Sequence, residues 1–233
     1  MKLAVLSFIL SLSLHSVSGA VIVSRNPAND SEISGAQLLE ISPTLASCPE
    51  YAKECRTADE AAPVITRAFA LYNITALGER AAILANMLFE SRFFLDDKSS
   101  VDEGAGTRNM MPWVHILAYA LDLPATRQAA LALYGNAMDI STEAIYMQGD
   151  QAGFKTKSAV RKLVIDNDEL SFASAMWQYR FGGPKGTGCD AIKGLAGSGT
   201  KEGWDEYIEK CLYLSPSDKR TEVWNKTQSV LTL

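Results

Sequence analysis

The run from Leu77 to Phe89, "LGERAAILANMLF", constrains this chain more than any other stretch. Leu77, Ala81, Leu84, Ala85 and Leu88 recur at three- and four-residue intervals, the spacing of one buried helical face. Ala82, Ile83 and Met87 widen that apolar surface, which makes this helix a central core element. The helix runs into a carboxylate, Glu90, with Phe89 before it and Phe93 and Phe94 after it. An unpaired carboxylate among aromatic rings is expensive to bury, so its placement needs a reason.

The rest of the chain reads as helix with short breaks. Thr57 and Glu60 have the spacing of a capping box and open a helix reaching about Tyr72, although Pro63 argues for a slightly later start. Residues 95–108, "LDDKSSVDEGAGTR", are polar and end in a glycine pair, which suits a loop or a small β-hairpin. Pro112 makes a first helical residue for "WVHILAYAL", and Pro124 restarts the chain at "ATRQAALALYGNAM". Further helix is expected over 141–148 and 156–166. Asp168 can cap "ELSFASAMWQYRF", which Gly182 and Gly183 terminate, and "GGPKGTG" is a loop. Thr200 can cap a helix that places Trp204, Tyr207, Ile208 and Cys211 on one face, and Ser217 a last helix through Trp224. The expected fold is mainly α (α+β): one helical domain over 48–233, preceded by an extended lead-in over 21–47.

The first twenty residues stand apart. Lys2, the apolar run "LAVLSFILSLSL" and the small residues up to Ala20 have the form of a secretory signal peptide. No later run is apolar enough to span a bilayer, so the expected location is secreted and extracellular. Four cysteines, Cys48, Cys55, Cys189 and Cys211, match no zinc spacing and suit disulfides in an oxidising compartment. Three pairings exist; Cys48–Cys55 with Cys189–Cys211 is favoured because each closes a short loop. Asn29, Asn73 and Asn225 sit in N-x-S/T sequons, which suit glycosylation on a eukaryotic secretory route. Without Lys2 the chain keeps 21 of its 22 basic residues against 27 acidic ones, a net charge of −6. That balance disfavours nucleic acid and anionic membrane surfaces as partners. A monomer is expected.

Chemistry is narrowed by what is scarce. Beyond the signal segment the single histidine is His115, inside "PWVHILAYA", where it reads as a structural helix residue. A histidine-rich metal site is excluded, and no G-x-S-x-G elbow supports a serine triad. "GGPKGTG" lacks the order of a phosphate-binding loop, and Asp96, Asp97, Asp102 and Glu103 lack EF-hand spacing. No metal and no cofactor is expected. Carboxylate chemistry remains. Glycoside cleavage uses a protonated carboxyl beside the scissile oxygen, often with a second carboxylate, and a Glu among aromatic side chains is a candidate for the first role.

"ANMLFESRFF", followed by "GAGTRNMMPW", resembles the active-site segment of the lysozyme-like superfamily, goose-type lysozymes and soluble lytic transglycosylases in particular. There a core helix ends in a Glu-Ser pair, here Glu90 and Ser91. A Gly-rich turn carrying Gln follows, here Gly104 to Gly106 with Asn109 in place of Gln, and then an apolar-Met-Pro helix start. Across Cys48 to Trp224 the chain also resembles secreted fungal proteins of lysozyme-like type, through "APVITRAFALYNIT", "GTRNM", "SFASAMW" and the Trp204–Tyr207–Cys211 run. The resemblance implies cleavage of a β-1,4-linked amino-sugar polymer: chitin, chitosan or peptidoglycan. Glu90 would be the general acid, with Asp97, Asp102 or Glu103 activating water or stabilising the oxocarbenium ion. Ser91, Thr107 and Asn109 would orient Glu90 or contact sugar groups. With no second carboxylate nearby it implies a transglycosylase-like route assisted by the substrate acetamide. A secreted glycan-binding protein without activity is the rival expectation.

Overall fold

A computed structural model describes residues 32–134, 145, 152–182, 189 and 193–232. The helices are α1 (Gly35–Ile41), α2 (Ala58–Leu71), α3 (Leu77–Glu90), α4 (Trp113–Asp122), α5 (Arg127–Tyr134), α6 (Phe154–Ile165), α7 (Asp168–Phe181), α8 (Lys193–Gly197), α9 (Lys201–Glu206) and α10 (Asp218–Leu231). A 3-10 turn (Pro43–Ala46) follows α1, and a π-helical turn (Tyr207–Cys211) extends α9. The proposed signal peptide, Asn29, most of 141–148 and most of "GGPKGTG" lie outside the described residues. No helix among the described residues is long and apolar enough to cross a membrane.

α3 is the central element. Every residue from Gly78 to Leu88 is buried, including Glu79, Arg80 and Asn86. Those three polar side chains are satisfied inside: Tyr179 donates to Glu79 at 2.8 Å, Arg80 Nε donates to the Ile74 carbonyl at 2.8 Å, and Asn86 accepts from α10. α10 is the principal neighbour of α3, while α2 packs on α7. One apolar cluster gathers α1, α2, α3, α7 and α10; a second gathers α4, α5 and α6 against Trp177 of α7. α7 joins them, with Phe172 facing the first cluster and Trp177 donating to Asp122 of α4 at 2.8 Å.

Two departures have clear causes. Residues 35–46, expected as part of an extended lead-in, form α1 and the 3-10 turn, because Ser34 and Gln37 make a capping box and Leu38, Ile41 and Leu45 reach the core. α7 is capped by Asn167, which accepts from the Leu170 amide, and not by Asp168. The Asp168 carboxylate is instead engaged by Arg56 Nε at 2.6 Å. The capping box of Thr57 and Glu60 is formed, with Pro63 tolerated inside α2, and Thr200 and Ser217 cap α9 and α10. Both favoured disulfides, Cys48–Cys55 and Cys189–Cys211, are present.

Candidate active site

α3 ends at Glu90, and the backbone then does something unusual for non-glycine residues. Arg92, Phe93 and Phe94 are all left-handed, with φ of 53°, 59° and 60°. A Cβ in that region crowds the following carbonyl, so three such residues in a row persist only when tertiary contacts hold them. Phe94 supplies the anchor: it is fully buried and meets Phe172 edge-on at 5.1 Å. Ser91 supplies the pin, donating through Oγ to the Met87 carbonyl at 2.7 Å and accepting from the Phe94 amide at 2.9 Å. The turn reverses the chain and delivers residues 96–102 beside the end of α3.

The returning segment is equally constrained. The expected hairpin is reduced to two isolated antiparallel bridges, Lys98 with Gly106 and Gly106 with Met111. Gly104 has φ of 86°, and a Cβ at Gly106 would stand 2.8 Å from the Asp97 carbonyl oxygen. Glycine is therefore required at 104 by conformation and at 106 by close approach. The Thr107 amide donates to the Asp97 carbonyl at 2.7 Å, which fixes the backbone of Asp97. Arg108, fully buried, clamps the loop from beneath. Its Nη1 donates to the carbonyls of Phe94 and Asp96, and its Nη2 to that of Glu54 at 2.6 Å. The Cys48–Cys55 disulfide closes the loop that carries Glu54.

These elements enclose a cleft of about 680 Å³, lined among the described residues by Glu54, Glu90, Arg92, Asp96, Asp97, Lys98, Ser99, Ser100, Asp102, Ala105 and Met110. Five carboxylates face two cations, and Arg92 pairs with Asp96 while Lys98 pairs with Glu54. No set of three or more acidic, His or Cys groups among the described residues is arranged to hold a metal ion.

Glu90 is not alone. Arg220 of α10 donates from Nη1 to Glu90 Oε1 at 2.6 Å and to Asn86 Oδ1 at 2.5 Å, and its guanidinium lies 4.3 Å from the Phe89 ring centroid. The aromatic neighbours thus hold the arginine or build the core; they do not form a bare apolar pocket around the carboxylate. Tyr207, buried behind this pair, has its phenol pushed up by burial.

Asp97 is the contrasting case. It is 6% exposed, lines the cleft, and its Oδ1 is buried without a hydrogen-bond partner. Burial pushes its carboxyl above the ordinary aspartate value, against the pull of Arg108. No protein-family model, curated protein or solved structure matches this chain.

The other expected site residues divide cleanly. Asp102 lines the cleft; Glu103 is exposed and does not. Ser91, Thr107 and Asn109 are buried and outside the cleft wall. Asn109 Nδ2 donates to Gln178 at 2.6 Å, while its Oδ1 accepts from Thr107 at 2.9 Å and Ser174 at 2.8 Å. Thr107 and Asn109 thus bond to each other and to α7, which holds the loop against that helix, while Ser91 bonds to Met87 and Phe94 within the turn. Glu54, Lys98, Asn86 and Arg220 were not anticipated. Only Asn86 carries a sequence signal: it lies four residues before Glu90, on the same face of an otherwise apolar helix, where a polar pair calls for a partner. His115 is held neutral by burial, its pKa pushed down to about 4. Asn73 and Asn225 are both exposed.

Proposed function

We propose that this protein is a secreted glycoside hydrolase that cleaves a β-1,4-linked amino-sugar polymer in the cleft between the end of α3 and residues 96–106. One observation carries the reading: Glu90 and two carboxylates of the following loop, Asp97 and Asp102, line a single cleft. Two carboxyl groups around one bond are what glycoside cleavage requires. The resemblance of "FESRFF" and "GAGTRNMMP" to lysozyme-like sites supports the substrate class and would make Glu90 the acid.

The cleft is acidic, as is the chain, so local charge does not offset net charge. Attraction favours stretches of the polymer bearing free amino groups over anionic peptidoglycan. Chitosan and partly deacetylated chitin are therefore the preferred substrates. The exposed sequons at Asn73 and Asn225, with both disulfides, support a secretory route.

A second reading rests on the Arg220–Glu90 pair, which engages one oxygen of the candidate acid. On that reading the cleft binds an amino-sugar polymer without cutting it. Digestion of chitin, chitosan and peptidoglycan by wild type and Glu90→Gln, with products read by mass spectrometry, separates the two. Release by wild type and loss in the variant supports the hydrolase. Retention on the polymer with no release supports binding. A hydrated reducing end marks hydrolysis, and a 1,6-anhydro end a transglycosylase.

A further inference from the structure

Glycoside cleavage divides labour between a carboxyl that holds a proton and one that stays charged. We infer that Asp97, and not Glu90, is the proton donor of this cleft, and that Glu90 acts as the ionised partner beneath the developing oxocarbenium ion. This assignment rests on the glycosidase reading.

The packing around each carboxyl carries the inference. Asp97 Oδ1 is buried and accepts no hydrogen bond. A buried charged oxygen without a donor is a costly state for a carboxylate, and a bound proton on the group relieves it. The charged groups around Asp97 are Arg108, Glu54, Lys98 and Arg56. Each cation already has other work. Arg108 donates to the carbonyls of Phe94, Asp96 and Glu54, Lys98 pairs with Glu54, and Arg56 pairs with Asp168. Glu54 opposes ionisation of Asp97. Burial dominates, and the Asp97 carboxyl is raised.

Glu90 has the reverse surroundings. Arg220 donates to it directly, and the guanidinium is fixed by Asn86 and by the Phe89 ring. The other titratable group at this pair is Tyr207, a buried phenol kept neutral. A carboxylate with a fixed cationic partner is suited to remain charged through a reaction.

The step balances. Asp97 gives its proton to the glycosidic oxygen as the bond from that oxygen to the anomeric carbon breaks, and the bonding electron pair stays on the leaving oxygen. Glu90 faces the positive charge that develops on the ring. Water then adds to the anomeric carbon and returns a proton to the Asp97 carboxylate. The rigid backbone of Asp97, held by the Thr107 amide and by the close approach of Gly106, keeps the donor in place.

Two measurements test the assignment. In wild-type protein labelled with carbon-13, the Asp97 carboxyl should titrate above the ordinary aspartate value of 3.8. Titration at or below that value overturns it. Kinetics supply the second test, with variant folding checked by thermal melts. Asp97→Asn should lower kcat on chitosan oligomers by about 10²- to 10⁴-fold. On an aryl glycoside, whose leaving group needs no proton, it should lose less than about tenfold, while Glu90→Gln should lose activity on both substrates. An active Asp97→Asn on chitosan oligomers, with wild type also active, removes this inference and leaves the glycosidase reading standing. Wild type inactive on every polymer and on the aryl glycoside removes the glycosidase reading, and the acid role with it.

Discussion

Arg220 and Glu90 meet across 130 residues of sequence, Nη1 to Oε1 at 2.6 Å, with Glu90 at the last turn of α3 and Arg220 in the first turn of α10. The contact joins the core to the cleft. Arg220 is 8% exposed, so its removal leaves Asn86 and Glu90 without their shared donor. Arg220→Met should destabilise the fold by about 3 kcal/mol, the lower end of the range for breaking a buried pair because Glu90 is partly open to water. Arg220→Lys should lose less, since it keeps the charge but not the flat face over Phe89. Urea unfolding of both variants measures the order; a larger loss in the lysine variant contradicts it.

The glycines of the returning loop give a sharper structural test. Gly106→Ala places a Cβ 2.8 Å from the Asp97 carbonyl, and should cost about 1–3 kcal/mol as that backbone shifts. Gly104→Ala should cost about 1–2 kcal/mol from its left-handed φ alone. Gly194→Ala in α8, where a Cβ meets nothing, should stabilise by about 0.5–1 kcal/mol. Thermal melts should place both loop variants below wild type and Gly194→Ala above it, and a neutral Gly106→Ala would refute the close approach.

Asn109 separates support from contact. Asn109→Ala leaves Thr107 Oγ1 and Gln178 Oε1 without their partner, while Ser174 keeps its bond to the Ser171 carbonyl, and should cost about 1–3 kcal/mol. The KM of folded variant for a chitosan oligomer should stay within about twofold of wild type, since a residue that does not touch substrate contributes no uniform binding. A raised KM with unchanged melting temperature would place Asn109 on the substrate.

His115 makes stability depend on pH. Its folded pKa, about 4, lies below the ordinary value of 6.5, so between those values the unfolded chain binds more protons. Stability from this residue is therefore full above about pH 6.5 and falls as pH drops towards 4. Asp97, raised in the fold, works the other way: its contribution is lost as pH rises through its folded pKa. Urea midpoints at pH 7 and pH 5 should differ less in His115→Gln than in wild type. An equal drop in both would remove His115 as the cause.

The helical frame was legible because its signals are local. The apolar spacing of α3, the Thr57–Glu60 box and the caps at Thr200 and Ser217 each act within a few residues. α1 carries a local signal too, the Ser34–Gln37 box, but its short apolar face (Leu38, Ile41) gains its burial only from α2 and α10. The site was legible as a segment but not as an arrangement. Glu90 and Asp97 could be picked out as carboxylates of one stretch. Nothing near Glu90 announces Arg220, and nothing near Asp97 announces Arg108 of the tight turn or Glu54 of the disulfide loop. Asn109 looked like a polar residue awaiting a ligand until α7 brought Ser174 and Gln178 to it.

A crystal structure of Glu90→Gln soaked with a chitosan hexamer tests the central claim most directly. The account predicts sugar rings lying along the cleft past residues 90, 97 and 102, with a glycosidic oxygen about 3 Å from the Asp97 carboxyl. A hexamer bound elsewhere on the protein, or a cleft left empty at saturating oligomer, would contradict it.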